Sequence, residues 1–130
     1  MPIKISVVPE LQLVVARCSG ALGEEDFLQG FDDIRLCADD GGKWNEVWDL
    51  RETTDLQLSF ENWSGMNPDD NTEPRREAVV ASTASQLEVA GRYARLMQSS
   101  SLKVEIFTDY DEALAWAGNA GPAGNAGDVG

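Results

Sequence analysis

The groups that could do chemistry are few, and one type is missing. The chain has no histidine, which removes the commonest general base near neutral pH and the commonest metal ligand. Carboxylates are what remain. Asp49 lies at the end of the short apolar run Glu46-Val47-Trp48-Asp49-Leu50, and strand C-terminal ends are where α/β folds place sites. With Asp55 or Glu61 it would make a carboxylate pair able to move protons; beside Arg51 it would be a solvated acid. Asp39-Asp40-Gly41-Gly42 and Asp69-Asp70-Asn71 lack the spaced oxygen ligands and closing Glu of a calcium loop, and read as turns. Cys18 and Cys37 have no Cys-x-x-Cys spacing to lower a thiol pKa, and read as small buried hydrophobes. No Gly-rich phosphate loop or Gly-x-Ser-x-Gly elbow occurs. The expectation is a protein without catalytic residues, metal or cofactor.

Binding chemistry is better represented. The chain has four tryptophans. Trp48 and Trp116 fall in core patterns, whereas Trp63 sits with Thr53, Phe60 and Met66 in the least regular stretch, Arg51 to Arg75. Aromatic residues in such a segment line apolar pockets or partner-facing patches, so Thr53, Phe60, Trp63 and Met66 are the candidate interaction surface. Ser59 precedes apolar residues and is a good N-cap for a short helix over Ser59 to Met66.

Charge narrows the partners. The 130 residues carry 23 acidic and 10 basic side chains, a net charge of -13. That sign opposes nucleic acid, whose binding depends on neutralising phosphates, and anionic membrane surfaces, which attract Lys and Arg clusters. No apolar stretch approaches the ~20 residues of a membrane span. No signal-peptide pattern opens the chain, so a cytoplasmic location is the default. A protein partner or a small apolar ligand fits better.

The elements that would position these groups follow from periodicity. Ile3 to Val8 and Leu11 to Cys18 read as strands in a hairpin about Pro9-Glu10, with Ser19-Gly20 ending the second. Glu24 to Cys37 reads as a helix, with Phe27, Phe31, Ile34 and Ala38 in one stripe and three acids in its first turn. Glu46 to Leu50 is a strand that follows a helix, and so pairs in parallel through a crossover. Glu77 to Ser82 is a near-continuous apolar strand, Ala84 to Met97 a helix, and Lys103 to Phe107 a final strand. Asp109 with Glu112 resembles a capping box opening a last helix to Ala117. The order β-β-α-β-(α)-β-α-β-α implies one α/β domain over residues 1–118, with a mixed, mostly parallel sheet of about five strands and helices packed on it. Residues 119–130, rich in Gly and Ala, read as a flexible tail. The open sheet edges also allow a homodimer.

That order resembles STAS-type domains and, more closely, the SpoIIAA-like family. The resemblance is carried by Leu13 to Gly20, ending in Ser-Gly before an acidic helix start, and by the "-Asp-Leu" strand Val47-Trp48-Asp49-Leu50. It continues in Ala78 to Ser82 with the Gly-bearing helix Gly91-Arg92-Tyr93-Ala94-Arg95, and in the terminal strand and Glu-Ala-x-x-Trp helix of Lys103 to Trp116. It implies a regulatory, protein-binding module like the anti-sigma-factor antagonists; the alternative is a carrier holding a lipid-like ligand under its helices. In those antagonists a serine in an Asp-Ser-Ser-Gly motif, several residues past the "-Asp-Leu" strand, is phosphorylated. Here Ser59 alone matches, at the second serine. The resemblance thus makes Ser59 a candidate phosphorylation site.

Overall fold

The computed structural model describes residues 2–37, 44–60, 75–98 and 102–118. Its elements are β1 (Ile3–Val8), β2 (Leu13–Gly23), α1 (Glu24–Cys37), β3 (Asn45–Gln57), β4 (Arg75–Val80), α2 (Ala84–Met97), β5 (Leu102–Phe107) and α3 (Tyr110–Gly118). The strands form one sheet in the order β1-β2-β3-β4-β5. Only β1 runs antiparallel to its neighbour; the other pairs are parallel. This is the mixed, mostly parallel α/β sheet that the pattern of elements implies. The expected helix over Ser59 to Met66 and the tail of residues 119–130 fall almost wholly outside the described residues.

Two local expectations are revised. The β1–β2 connection is a 3-10 turn over Pro9–Leu11 that closes when the Gln12 N–H donates to the Pro9 carbonyl at 3.0 Å. Gln12 is left-handed (φ 50°), so β2 starts at Leu13 rather than Leu11. At the other end, Ser19-Gly20 does not stop the strand. Arg17 pairs with Asp49 but Ser19 with Glu52, and Gly20 pairs with Thr53 but Ala21 with Asp55. Each slip leaves one extra residue on β3, the signature of a β-bulge. Gly20 takes φ +75° there, a conformation open to glycine at little cost. Past the bulges β2 and β3 continue as a two-stranded parallel arm to Gly23 and Gln57, so Arg51 to Gln57, the first part of the least regular stretch, is strand.

Each face of the sheet has its own core. On one face α1 and α2 bury Val14, Ala16, Trp48, Leu50, Val79 and Val104. Phe27 and Phe31 of α1 meet the Trp48 ring at centroid distances of 5.7 and 5.0 Å. At Gly30 the helix comes so close that a β-carbon would sit 3.2 Å from Trp48 and 3.3 Å from Ile3. On the other face α3 buries Leu13, Val15, Val47, Ala78 and Val80 with Ala113 and Ala117. Trp116 is only half-buried: its ring packs on Phe107 at 5.6 Å and carries the Arg76 guanidinium at 4.9 Å.

The helix starts are chemically fixed. Thr83 and Gln86 close a full capping box on α2. Asp109 accepts from the N–H groups of Asp111 (2.8 Å) and Glu112 (3.4 Å) at α3, leaving fewer orphan donors in each first turn.

Candidate functional site

The C-terminal ends of β3 and β4 carry the most organised polar chemistry. Among the described residues β3 has no partner strand on its β4 side beyond Asp49, and the register slips interrupt its ladder with β2. Gln86, 3% exposed, supplies bonds there. Its Nε2 donates to the carbonyls of Arg51 (3.3 Å) and Thr53 (3.2 Å) and to the Thr53 hydroxyl (3.1 Å). Its Oε1 accepts from the Ser82 and Thr83 N–H groups at 2.9 and 3.1 Å. One carboxamide thus ties the bent end of β3 to the start of α2. Thr53 belongs to this tie: it is buried, and its hydroxyl donates to the Leu50 carbonyl at 2.7 Å. The structure therefore turns Thr53 inward, away from the outer surface formed near Phe60.

Asp49 is an ion-pair partner. Its carboxylate accepts from Arg51 Nε and Nη2, both at 2.9 Å, and from the Arg51 N–H at 3.1 Å. Burial pushes its pKa up, but these bonds and the Arg51 charge outweigh that, and the net shift is downward. A carboxylate held ionised this way is a poor proton acceptor. Asp55, six positions along the same strand and roughly 20 Å away, accepts instead from Gln57 Nε2 at 2.8 Å. The two do not converge, and Glu61 lies outside the described residues. The Arg51 and Arg17 guanidinium carbons lie 5.1 and 5.3 Å from the Tyr110 ring centre, so the Asp49 ion pair is roofed by the first residue of α3. Cys18 is a buried thiol with its pKa pushed up to about 12, first by burial and then by the Asp49 charge; it holds no thiolate near neutral pH.

Ser59 and Phe60 are held from across the sequence. One Glu24 oxygen accepts from the Ser59 N–H (2.9 Å), the Ser59 hydroxyl (2.9 Å) and the Phe60 N–H (2.7 Å). Those bonds, Phe60's first, hold the Glu24 carboxyl below its ordinary pKa. Phe60 is left-handed (φ 63°), a strained state for a residue with a bulky side chain, and the clamp fixes it. Its ring sits 6.5 Å from Tyr93 and under the Arg92 guanidinium at 5.2 Å. Phe60, Arg92, Arg95 and Leu96 together line an open groove of about 340 Å³. The structure thus brings Ser59 and Phe60 together; Trp63 and Met66 lie outside the described residues.

The carrier reading calls for a cavity under the helices. Between α1, α2 and the sheet there is an apolar slot lined by Phe27, Phe31, Trp48, Leu58, Val89 and Tyr93, of about 30 Å³. A space of that size holds about two waters, far less than the several hundred Å³ of a ligand pocket.

Several of these residues escape the linear reading. Thr83-x-x-Gln86 carries the visible Thr-x-x-Gln signature of a capping box, but its second role, across to β3, has no local sign. Glu46 and Glu77 open their strands in the sequence, yet they are register partners, 4% and 1% exposed. Trp48 Nε1 donates to Glu46 at 2.9 Å and the Tyr93 hydroxyl to Glu77. Buried acids with such partners are bound into the core.

No family model matches the chain, and no curated protein does. Among solved structures it is similar to the crystal structure of an uncharacterized protein of the DUF3478 family, with a SpoIIAA-like fold, from Shewanella loihica PV-4. The two share 16% identity over 88% of this chain and 91% of that one, with a TM-score of 0.59. At that identity the likeness is one of architecture: the chain has a SpoIIAA-like α/β fold.

Proposed function

We propose that the chain is a non-enzymatic binding module whose recognition surface is the groove formed by Phe60, Arg92, Arg95 and Leu96. One observation supports this most directly: Phe60 is held in a strained backbone state by Glu24, with its ring presented beside two outward arginines. Aromatic residues and arginine dominate the energetics of protein interfaces. Arg92 and Arg95 are exposed and have no carboxylate partner among the described residues, although the chain carries an excess of acids. The partner that fits is a protein surface bearing carboxylates around an apolar centre. Ser59 supplies a regulatory handle, as in the anti-sigma-factor antagonists. A phosphate on its hydroxyl would put nearly two negative charges beside the Glu24 carboxylate, and repulsion would free Phe60 from the clamp.

The test is affinity purification from cells that make the protein, using the wild type, Phe60→Ala and Arg95→Glu, with circular dichroism to confirm folding. Proteins retained through this groove fall about tenfold or more with either variant, the loss of one hot-spot contact. An identical set of retained proteins from all three removes the groove from the function.

A further inference from the structure

We propose that the outer edge of β5 accepts the β5 strand of a second copy of this chain, and that Gln98 is the removable guard of that edge. β5 ends the sheet, and among the described residues no strand pairs with its outer side. The Phe107 carbonyl accepts from Ala81 at 2.9 Å on the β4 side, so the odd-numbered residues of β5 bond inward. The backbone groups of Leu102, Val104 and Ile106 therefore point outward. Such an edge is a template for another strand unless something blocks it. At its centre something does: Gln98 Nε2 donates to the Val104 carbonyl at 2.7 Å, and the Val104 N–H donates to Gln98 Oε1 at 3.2 Å. A carboxamide is a peptide group in miniature, and this one makes the two bonds that a neighbouring strand would make.

The residues of β5 specify the occupant. Lys103 and Glu105 are exposed, on the sheet face opposite the buried Leu102 and Val104. In an antiparallel pair centred on Val104, Val104 faces its own copy, Leu102 faces Ile106, and Lys103 faces Glu105, twice by symmetry. Those Lys–Glu pairs fall at the non-hydrogen-bonded positions, where facing side chains come closest. Sliding the centre to Lys103 or Glu105 sets like charges opposite each other, and a slip to a centre between residues puts the polar face against the apolar one. Of these registers the Val104-centred one alone is self-complementary; sliding by two residues, to Leu102 or Ile106, gives up both Lys–Glu pairs, so the Val104 centre is favoured and gives the isologous contact of a two-fold dimer.

Sedimentation velocity over a concentration series, in salt near 0.15 M where charges act over about 8 Å, decides the matter. Gln98→Ala removes the competing carboxamide and tightens self-association by roughly tenfold or more relative to the wild type, the worth of the two bonds it vacates. In that background Lys103→Glu weakens the dimer, and adding Glu105→Lys to it restores the dimer. Amide exchange at Val104 slows with protein concentration in Gln98→Ala. Gln98→Ser is the second variant, should the alanine disturb the end of α2. If both folded variants associate no more tightly than the wild type, Gln98 guards nothing and the proposal falls. If association tightens but ignores the charge exchange, the interface is not this edge, and the proposal falls as well.

Discussion

At the scale of single residues, two polar side chains hold the C-terminal edge of the sheet, and each can be tested alone. Gln86 leaves four backbone groups without this partner if it is cut to alanine: the carbonyls of Arg51 and Thr53 and the N–H groups of Ser82 and Thr83. Unsatisfied buried groups cost more than a lost bond, so Gln86→Ala lowers unfolding free energy by about 2–4 kcal/mol in urea titration. Thr83→Ala removes only the cap and costs about 1 kcal/mol; equal effects would mean that Gln86 acts only through the capping box. Asp49 makes a pH-dependent contribution. Its folded pKa lies below its unfolded one, because the Arg51 bonds outweigh burial. That stability is fully present above the unfolded Asp range near pH 4 and is lost as pH falls through the lower folded value. Asp49→Asn therefore costs about 1–3 kcal/mol at pH 7, and the gap to wild type narrows as the titration moves below pH 4. A gap constant across pH 2–7 would show that charge plays no part. The Thr-x-x-Gln cap and the Asp49–Arg51 neighbours were legible in the sequence, both being local. The bond from Gln86 to β3 spans 33 residues and leaves no spacing to read.

At the scale of elements, what the sequence expresses well is periodicity. α1 and α2 follow from their apolar stripes over Glu24–Cys37 and Ala84–Met97, and the parallel pairing of β3 from the helix that precedes it. The long arms of β2 and β3 do not follow, because Ser-Gly signals a stop and a bulge alike; which it is depends on the strand alongside. Past the arm, the chain is pinned to α1 by Glu24. That contact has its own consequence: the clamp exists only while Glu24 is ionised. Its pKa is depressed by the Phe60 and Ser59 bonds, so the clamp is intact above the ordinary Glu range, about 4.3, and opens as pH falls through the lower folded value. In NMR titration the Phe60 amide proton shifts with a midpoint below that range. Glu24→Ala abolishes the titration and speeds amide exchange at Ser59 and Phe60, while amides in β4 keep their protection. Fast exchange at Phe60 in the wild type at pH 7 would mean that its left-handed turn is held by something else.

At the scale of the whole molecule, two apolar cores compete with a charge of -13. The sheet is covered on one face by α1 and α2 and on the other by α3, which is the two-sided burial that lets parallel strands read as continuous apolar runs. Acids crowd the surface instead, and α1 alone carries Glu24, Glu25, Asp26, Asp32 and Asp33. The first three complement the helix N-terminus, but the summed field still disfavours the compact state, because unfolding lets like charges separate. No helix among the described residues is long and apolar enough to cross a membrane. Salt screens charges that face solvent. Raising ionic strength from about 0.01 to 0.15 M shortens the screening length from about 30 to 8 Å. That spares contacts such as Asp49–Arg51 at 2.9 Å and suppresses repulsion between distant acids. The thermal midpoint therefore rises by about 3–6 °C over that range, equivalent to roughly 1 kcal/mol for a domain of this size. Sodium and choline chloride should act equally, because screening depends on ionic strength rather than on the ion. A midpoint that falls with salt would mean that attractive pairs outweigh the excess acids; a rise with sodium alone would point to a cation bound at a particular site.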